Sequence, residues 1–354
     1  MGTWPLAIAA IAAALLAAAP APGNATAAAP RNANATVAAH ANATGNPITK
    51  ASWDRAEQRQ VVRAGLMQDF PDGFEGDRAL TTGELSQAFG ALGARTGTPA
   101  VGVSSAPITL TRFDGLVVDQ LGLADAARAF RSQARSAGLR PPSYFGTELV
   151  ARLLSLRYNH LFPNEQLELY PWERITRAEA AYSLAQVLHF GGWEAAYPRE
   201  VAARFQLPSY TRAQRRALRL AVPKIGMPYV WGGETDGPSP GQVHGGYDCS
   251  GFAWRVYKLS GNPAGRLIAG RTAAQQAGEI PKSRRVHLDE VKPGDLLFFG
   301  SARFNSKATE RNVIHEGIAL SRDFAIHSSS QGVYVLPLYG GWLHDQFAWA
   351  RRVL

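Results

Sequence analysis

Through residues 51–205 the apolar positions recur three and four apart, the spacing of helices that bury one face. Ala56 to Leu66 mixes apolar and charged positions, and Asp69-Phe-Pro-Asp-Gly73 breaks that run. Leu85, Phe89 and Leu92 follow Thr81 and Thr82, either of which can cap a helix. Leu116, Val117 and Leu121 follow Thr111-Arg-Phe-Asp114, and Ala181, Leu184 and Val187 follow Ile175-Thr-Arg-Ala-Glu179. Thr176 and Glu179 have capping-box spacing, in which the hydroxyl accepts one orphan N–H and the carboxylate another. Three similar starts predict degenerate repeats of paired helices.

The pattern changes after a basic stretch between Arg199 and Arg219, and the boundary is placed near Ser209. Phe252, Ala253, Val256 and Tyr257 form stripes of a helix that begins at Cys249. Pro293-Gly-Asp295 reads as a turn into the buried strand Leu296-Leu-Phe-Phe299. Val313–Leu320 and Phe324–Ser329 read as strands joined by Ser321-Arg-Asp323. A hairpin centred near Ser321 sets His315 opposite His327, both on one face.

The first residues differ from both regions. Trp4 to Ala19 is almost unbroken apolar sequence and then meets Pro20 and Pro22, which suits a secretory signal ending near Ala21 or Ala25 better than a membrane anchor. From Pro20 to Gly45 the sequence is low-complexity Ala, Asn, Thr and Pro, with Asn-Ala-Thr at Asn24, Asn34 and Asn42, and residues 26–50 are read as a linker. Such side chains offer too little apolar area to offset backbone ordering, so a tether is expected. At 354 residues, with 46% hydrophobic and 18% charged positions, the rest suits two or three folded units. The net charge of +9 is spread over both halves and favours anionic polymers. Without a zinc-finger cysteine set or a compact basic cluster, nucleic acid is not an expected partner.

Cys249 is the single cysteine, so no intramolecular disulfide is open to it. A helix N-terminus, with unpaired N–H groups and the positive end of the helix dipole, favours a thiolate and can stabilise an oxyanion. His315 and His327 supply an imidazole base and a group to orient it. Two histidines alone suit a metal equally, but no third ligand has matching spacing, so neither metal nor cofactor is expected.

Gly226-Met-Pro-Tyr-Val-Trp-Gly-Gly233, Asp248-Cys-Ser-Gly-Phe252, Pro293-Gly-Asp295, His315 and His327 occur in the order found in the NlpC/P60 cell-wall peptidases, which residues 218–354 resemble. The resemblance implies an α+β class, with a papain-like catalytic domain behind a mainly helical repeat domain over 51–208. It implies Cys249 as nucleophile, His315 as base and His327 as its orienter. Tyr229, Asp248 and Ser250 are then the expected oxyanion or substrate-binding groups, the last two flanking the thiol. The substrate implied is the stem peptide of peptidoglycan, cut at γ-D-glutamyl-diamino acid bonds through a thioester. Alternatives are an N-acetylmuramoyl-L-alanine amidase, an acyltransferase, or a wall-binding structural protein with an inactive enzyme domain. Glu234–Tyr247 and Ser301–Asn312 are longer than the family's common form and are expected beside the cleft, and Glu316 replaces a small apolar residue. Thr176-Arg-Ala-Glu179 resembles the helix start of S-layer homology repeats, which implies secondary cell-wall polymers as partners and Arg177 as a wall-binding residue. The expected location is secreted, at the cell wall, without stable membrane insertion.

Overall fold

A computed structural model describes residues 53–96, 104–160, 164–259 and 261–354. The signal and tether expectations fall outside the described residues. The helical half comprises α1 (Arg55–Arg63), α2 (Thr82–Thr96), α3 (Leu110–Gln120), α4 (Ala124–Ser136), α5 (Phe145–Leu153), α6 (Arg177–Leu188) and α7 (Gly192–Arg204). Among the described residues no helix is long and apolar enough to cross a membrane.

The starts of α2, α3 and α6 meet in a ring. The Leu80 N–H bonds the carbonyl of Ile175, that of Ile175 bonds Ile108, and that of Ile108 bonds Leu80, at 2.9–3.1 Å. The first two helical N–H groups of each start bond carbonyls two and four residues ahead of the apolar residue in a neighbouring start. Thr82 and Gly83 bond Ala106 and Ser104, Leu110 and Thr111 bond Glu173 and Pro171, and Arg177 and Ala178 bond Arg78 and Gly76. Orphan helix donors are thereby satisfied by neighbouring segments, which ties the three starts together. Thr81, Thr109 and Thr176 accept the N–H of Glu84, Arg112 and Glu179. The second start is therefore Thr109, not Thr111. Thr111 instead lies in the first helical turn, and Asp114 turns inward to the guanidinium of Arg157 at 3.0 Å.

Past α8 (Arg212–Ala221), β1 (Glu234–Thr235) and β2 (Gly246–Tyr247) form a small antiparallel pair ahead of α9 (Cys249–Tyr257) and α10 (Ala273–Gly278). β3 (Arg285–Val286), β4 (Leu296–Phe299), β5 (His315–Ala319), β6 (Phe324–Ser329), β7 (Gly332–Pro337) and β8 (Phe347–Arg351) make an antiparallel sheet of order β3-β8-β4-β5-β6-β7, and α11 (Trp342–Asp345) precedes β8. Alternation divides the sheet into two faces. Leu296, Phe298, Ile318, Phe324 and Ile326 share a core with Phe252, Ala253 and Val256 of α9. Leu297, Phe299, Ala319 and Ala325 share another with Leu338 and Leu343.

The first of these cores continues without a break into the helical half, from Val61 to Val353. Phe205 after α7 packs on Phe324 of β6, with ring centroids 4.9 Å apart. The Tyr210 hydroxyl donates to the carbonyl of Leu320 at 3.0 Å. A boundary near Ser209 therefore falls inside a packed interface.

Candidate active site

Cys249 is the first residue of α9, and its position follows from the residues around it. Asp248 caps the helix, its Oδ1 accepting the N–H of Gly251 at 2.5 Å. A Cβ on Gly251 would lie 2.0 Å from the carbonyl oxygen of Gly233, so only glycine lets the helix start pack against the Val-Trp-Gly-Gly turn. Behind it, Phe252, Val256 and Tyr257 are fully buried and fix the helix against β5. The backbone N–H groups of Ser250 and Glu316 act on the thiol in favour of its anion, and Glu316 adjoins His315 in the chain.

His315 and His327 are joined by a hydrogen bond of 2.8 Å between Nε2 of His315 and Nδ1 of His327. They are not directly opposite as the hairpin arithmetic predicts. Gly317 faces His327 in the register, so His315 lies one diagonal step away on the same face. The shift arises because the turn closes with the N–H groups of Leu320 and Ser321 both on the Phe324 carbonyl. A Cβ at Gly317 would stand 3.1 Å from the Cβ of His327, and its absence leaves room for the two rings to meet. Phe299, Trp342 and Tyr334 wall the pair, with ring centroids 4.5–5.8 Å from the imidazoles. With Nε2 of His315 committed to His327, Nδ1 is the nitrogen left to a reacting group.

Burial governs the charges here. It pushes the Cys249 thiol up, and the Asp248 carboxyl pushes it further, outweighing the two N–H groups. Burial also lowers His315 to about 4 and lowers His327, which His315 depresses further. The helix-start expectation of a favoured thiolate is thus reversed. One turn of helix dipole is a modest term, and desolvation of a buried anion is a larger one. Glu316, absent from the sequence-based site, is fully buried with neither carboxyl oxygen hydrogen-bonded, and burial raises its pKa well above the usual range. A neutral thiol, two neutral imidazoles and a protonated carboxyl follow.

Tyr229 feels the fields of Cys249, Asp248 and Glu165, and burial together with these groups raises its phenol, which remains a donor. Asp248 and Ser250 are occupied within the protein. Both oxygens of Asp248 accept from Arg271, at 3.0 and 3.3 Å, and the Ser250 hydroxyl accepts from the same guanidinium at 3.0 Å. They shape the helix start and offer substrate no free group. Arg271, which also reaches Glu234 and the carbonyls of Gly232 and Gly233, was missed in the sequence because one arginine in a loop has no periodic signature. The signal available was the capping box of Thr272 and Gln275 that follows it.

Arg177 is distant from this site and 1% exposed. Its guanidinium bonds Glu84 and the carbonyls of Phe74 and Gln68, and lies over the rings of Phe70 and Phe74. It locks two helix starts together and presents nothing to a polymer. The two long connections also part ways. Glu234–Tyr247 stays beside the cleft, where Tyr170 of the helical half accepts the Gly245 N–H at 2.9 Å and Glu165 accepts that of Trp231 at 3.2 Å. Ser301–Asn312 turns away, with Phe304 stacked on His287 at 3.7 Å and Glu310 accepting from Thr272.

A cysteine at a helix start, packed on an antiparallel sheet that carries a histidine pair, is the arrangement expected of the NlpC/P60 class. Residues 226–352, about a third of the chain, match the NlpC/P60 family, and the C-terminal domain is of that family. The chain is 35% identical to Protein P54 of Enterococcus faecium over 124 residues, 35% of this chain and 20% of that protein. It is 33% identical to a gamma-D-glutamyl-L-lysine dipeptidyl-peptidase of Bacillus subtilis (strain 168) over 110 residues, 30% of this chain and 29% of that one. A crystal structure of an NlpC/P60 family protein from Bacillus cereus ATCC 10987 is similar at 25% identity and a TM-score of 0.32, over 42% of each chain. The chain thus spans between a fifth and a third of the length of these curated relatives.

Proposed function

We propose that the protein is an exported peptidoglycan hydrolase that cuts stem peptides through a Cys249 thioester. The observation that carries this reading is Cys249 at the start of a helix packed on the strand that carries His315, an imidazole whose Nε2 is held by Nδ1 of His327 at 2.8 Å. The match of residues 226–352 to the family and the likeness to a dipeptidyl-peptidase support the substrate class.

Because thiol and imidazole both rest neutral, attack is coupled to proton transfer. As Cys249 sulfur bonds to the amide carbonyl carbon, His315 takes its proton at Nδ1. His327 fixes the ring, and the backbone N–H of Cys249 with the Tyr229 hydroxyl receives the oxyanion. The imidazolium then protonates the departing amine, leaving a thioester. A water that gives its proton to His315 attacks the thioester carbonyl, releasing the acid and restoring the thiol. The bond proposed is γ-D-glutamyl-diamino acid. Mass analysis of fragments released from defined walls tests it: a new free amine on the diamino acid is expected, whereas release of the intact stem from the sugar lactate would make the enzyme an amidase.

A further inference from the structure

One cavity lies away from Cys249, on the sheet face opposite α9. Its volume is about 750 Å³, within the range of small-ligand sites. The long Ser301–Asn312 connection forms one wall with Ala302, Arg303 and Phe304. That wall is fixed from below: the Arg285 guanidinium bonds the carbonyls of Phe304 and Ser306 and lies 3.5 Å from the centre of the Trp349 ring. The opposite wall carries Arg322 from the β5–β6 turn, with Tyr339 beyond β7.

The lining selects a kind of ligand. Flat faces come from Phe304 with its stacked His287, and from Tyr339, over whose ring the Arg204 guanidinium already lies at 4.9 Å. Around them stand Arg303 and Arg322 as donors and Asp289 as an acceptor, exposed side chains with no hydrogen bond or ion pair among the described residues. The two guanidinia are balanced by Asp289 and Asp323, so an anion gains no net field in the cavity. Hydroxyls, which both donate and accept, satisfy such a mixed lining, and the C–H face of a pyranose lies flat on an aromatic ring. α11 connects this cavity to the reacting groups: Trp342 packs 5.7 Å from the His315 ring, and His344, two residues on, lines the cavity.

We propose that this cavity is a saccharide-binding site, and that it holds the glycan part of a sugar-borne peptide beside the catalytic groups. The second half rests on the peptidase reading, whereas the first stands on the cavity alone. The site acts by raising local substrate concentration and touches no reacting atom.

The test uses the full-length protein and two substrates: glycan strands stripped of peptide, and a stem peptide without sugar. Saturable binding of the stripped strands is expected, at least tenfold weaker in Arg303→Ala and in Asp289→Ala and unchanged in the remote Arg128→Ala. Hydrolysis of the sugar-free peptide is expected to stay within about twofold of wild type in all three, as none touches the thiol or imidazoles. Arg322→Ala repeats the binding measurement from the opposite wall should a first variant fail to fold. Absence of saturable binding overturns the proposal, as does equal weakening by Arg128→Ala. So does preference for poly(glycerol phosphate) with steep salt dependence, which makes the cavity a polyanion site. Strands that bind through Arg303 in a protein that cleaves no peptide support the saccharide site and sink the peptidase reading.

Discussion

In the helical half, Asp114, Glu148, Arg152 and Arg157 are buried together, with contacts of 2.8–3.3 Å from the guanidinia to Glu148 and Asp114. Against the cost of burial, Arg157 and Arg152 hold Glu148 below the usual carboxylate range. In the C-terminal half, His315, His327 and Glu316 are buried and Cys249 half-buried beside them, but none has a hydrogen-bonded ion partner, and burial favours the neutral form of each. Charge is kept where it binds elements to one another and is suppressed where the proposed reaction moves protons. A buried ion pair is costly to break, whereas a buried neutral acid–base pair can change state within one reaction cycle.

The contrast can be broken most severely at the thiol. Cys249→Ala is expected to abolish hydrolysis while circular dichroism and melting stay those of wild type, and turnover above contaminating activity would remove the mechanism. His315→Ala should cost nearly as much. His327→Ala should lose about 10²–10⁴-fold in kcat, since orientation alone is lost. Activity surviving at His315→Ala but absent at His327→Ala reverses the assignment.

On the paired side, Arg157→Ala strands Asp114 as a buried carboxylate, leaves Glu148 to Arg152 alone, and should destabilise by about 3–5 kcal/mol. Urea unfolding measures it, and a loss under 1 kcal/mol (about the worth of a surface pair) would mean that the network is not a structural tie.

The unpaired side sharpens through pH. The lowered His315 places the acid limb of kcat/KM near 4, not near the ordinary imidazole value of 6.5. Stability moves in the same range. The unfolded chain binds protons at these histidines that the folded chain refuses, so stability falls as pH drops from 6.5 through about 4. An activity limb at 6.5 would show that the imidazole is charged at rest.

The smallest effect is expected at Glu316. Its folded pKa is raised, so the folded chain must hold a proton at neutral pH that the unfolded chain has released. Glu316→Leu should therefore stabilise at pH 7, with the gain shrinking as pH falls toward the ordinary carboxyl value of 4.5. Urea unfolding at both values decides it, and a gain larger at the acidic value contradicts a neutral Glu316.

Much of this was legible before any coordinates. The cap at Thr176, the helix begun by Cys249 and the shared face of His315 and His327 follow from periods of 3.6 and 2 and from orphan N–H groups, all local along the chain. What failed was non-local. Arg177 carries a surface residue's charge yet is enclosed by Glu84, Phe70 and Phe74 from another segment. The second helix start moved to Thr109 because the Leu110 and Thr111 N–H groups found carbonyls at Glu173 and Pro171, some sixty residues away.

The sequence by itself determined which groups are proposed to carry the chemistry: one thiol, two histidines on one sheet face, and glycines where Cβ atoms would collide. Local sterics and backbone hydrogen bonding leave few choices there. Only the tertiary structure decided their protonation, the commitment of Asp248 and Ser250 to Arg271, and the turning of Ser301–Asn312 away from the cleft. Desolvation and long-range contacts depend on what the rest of the chain packs around a group, and no local pattern encodes that.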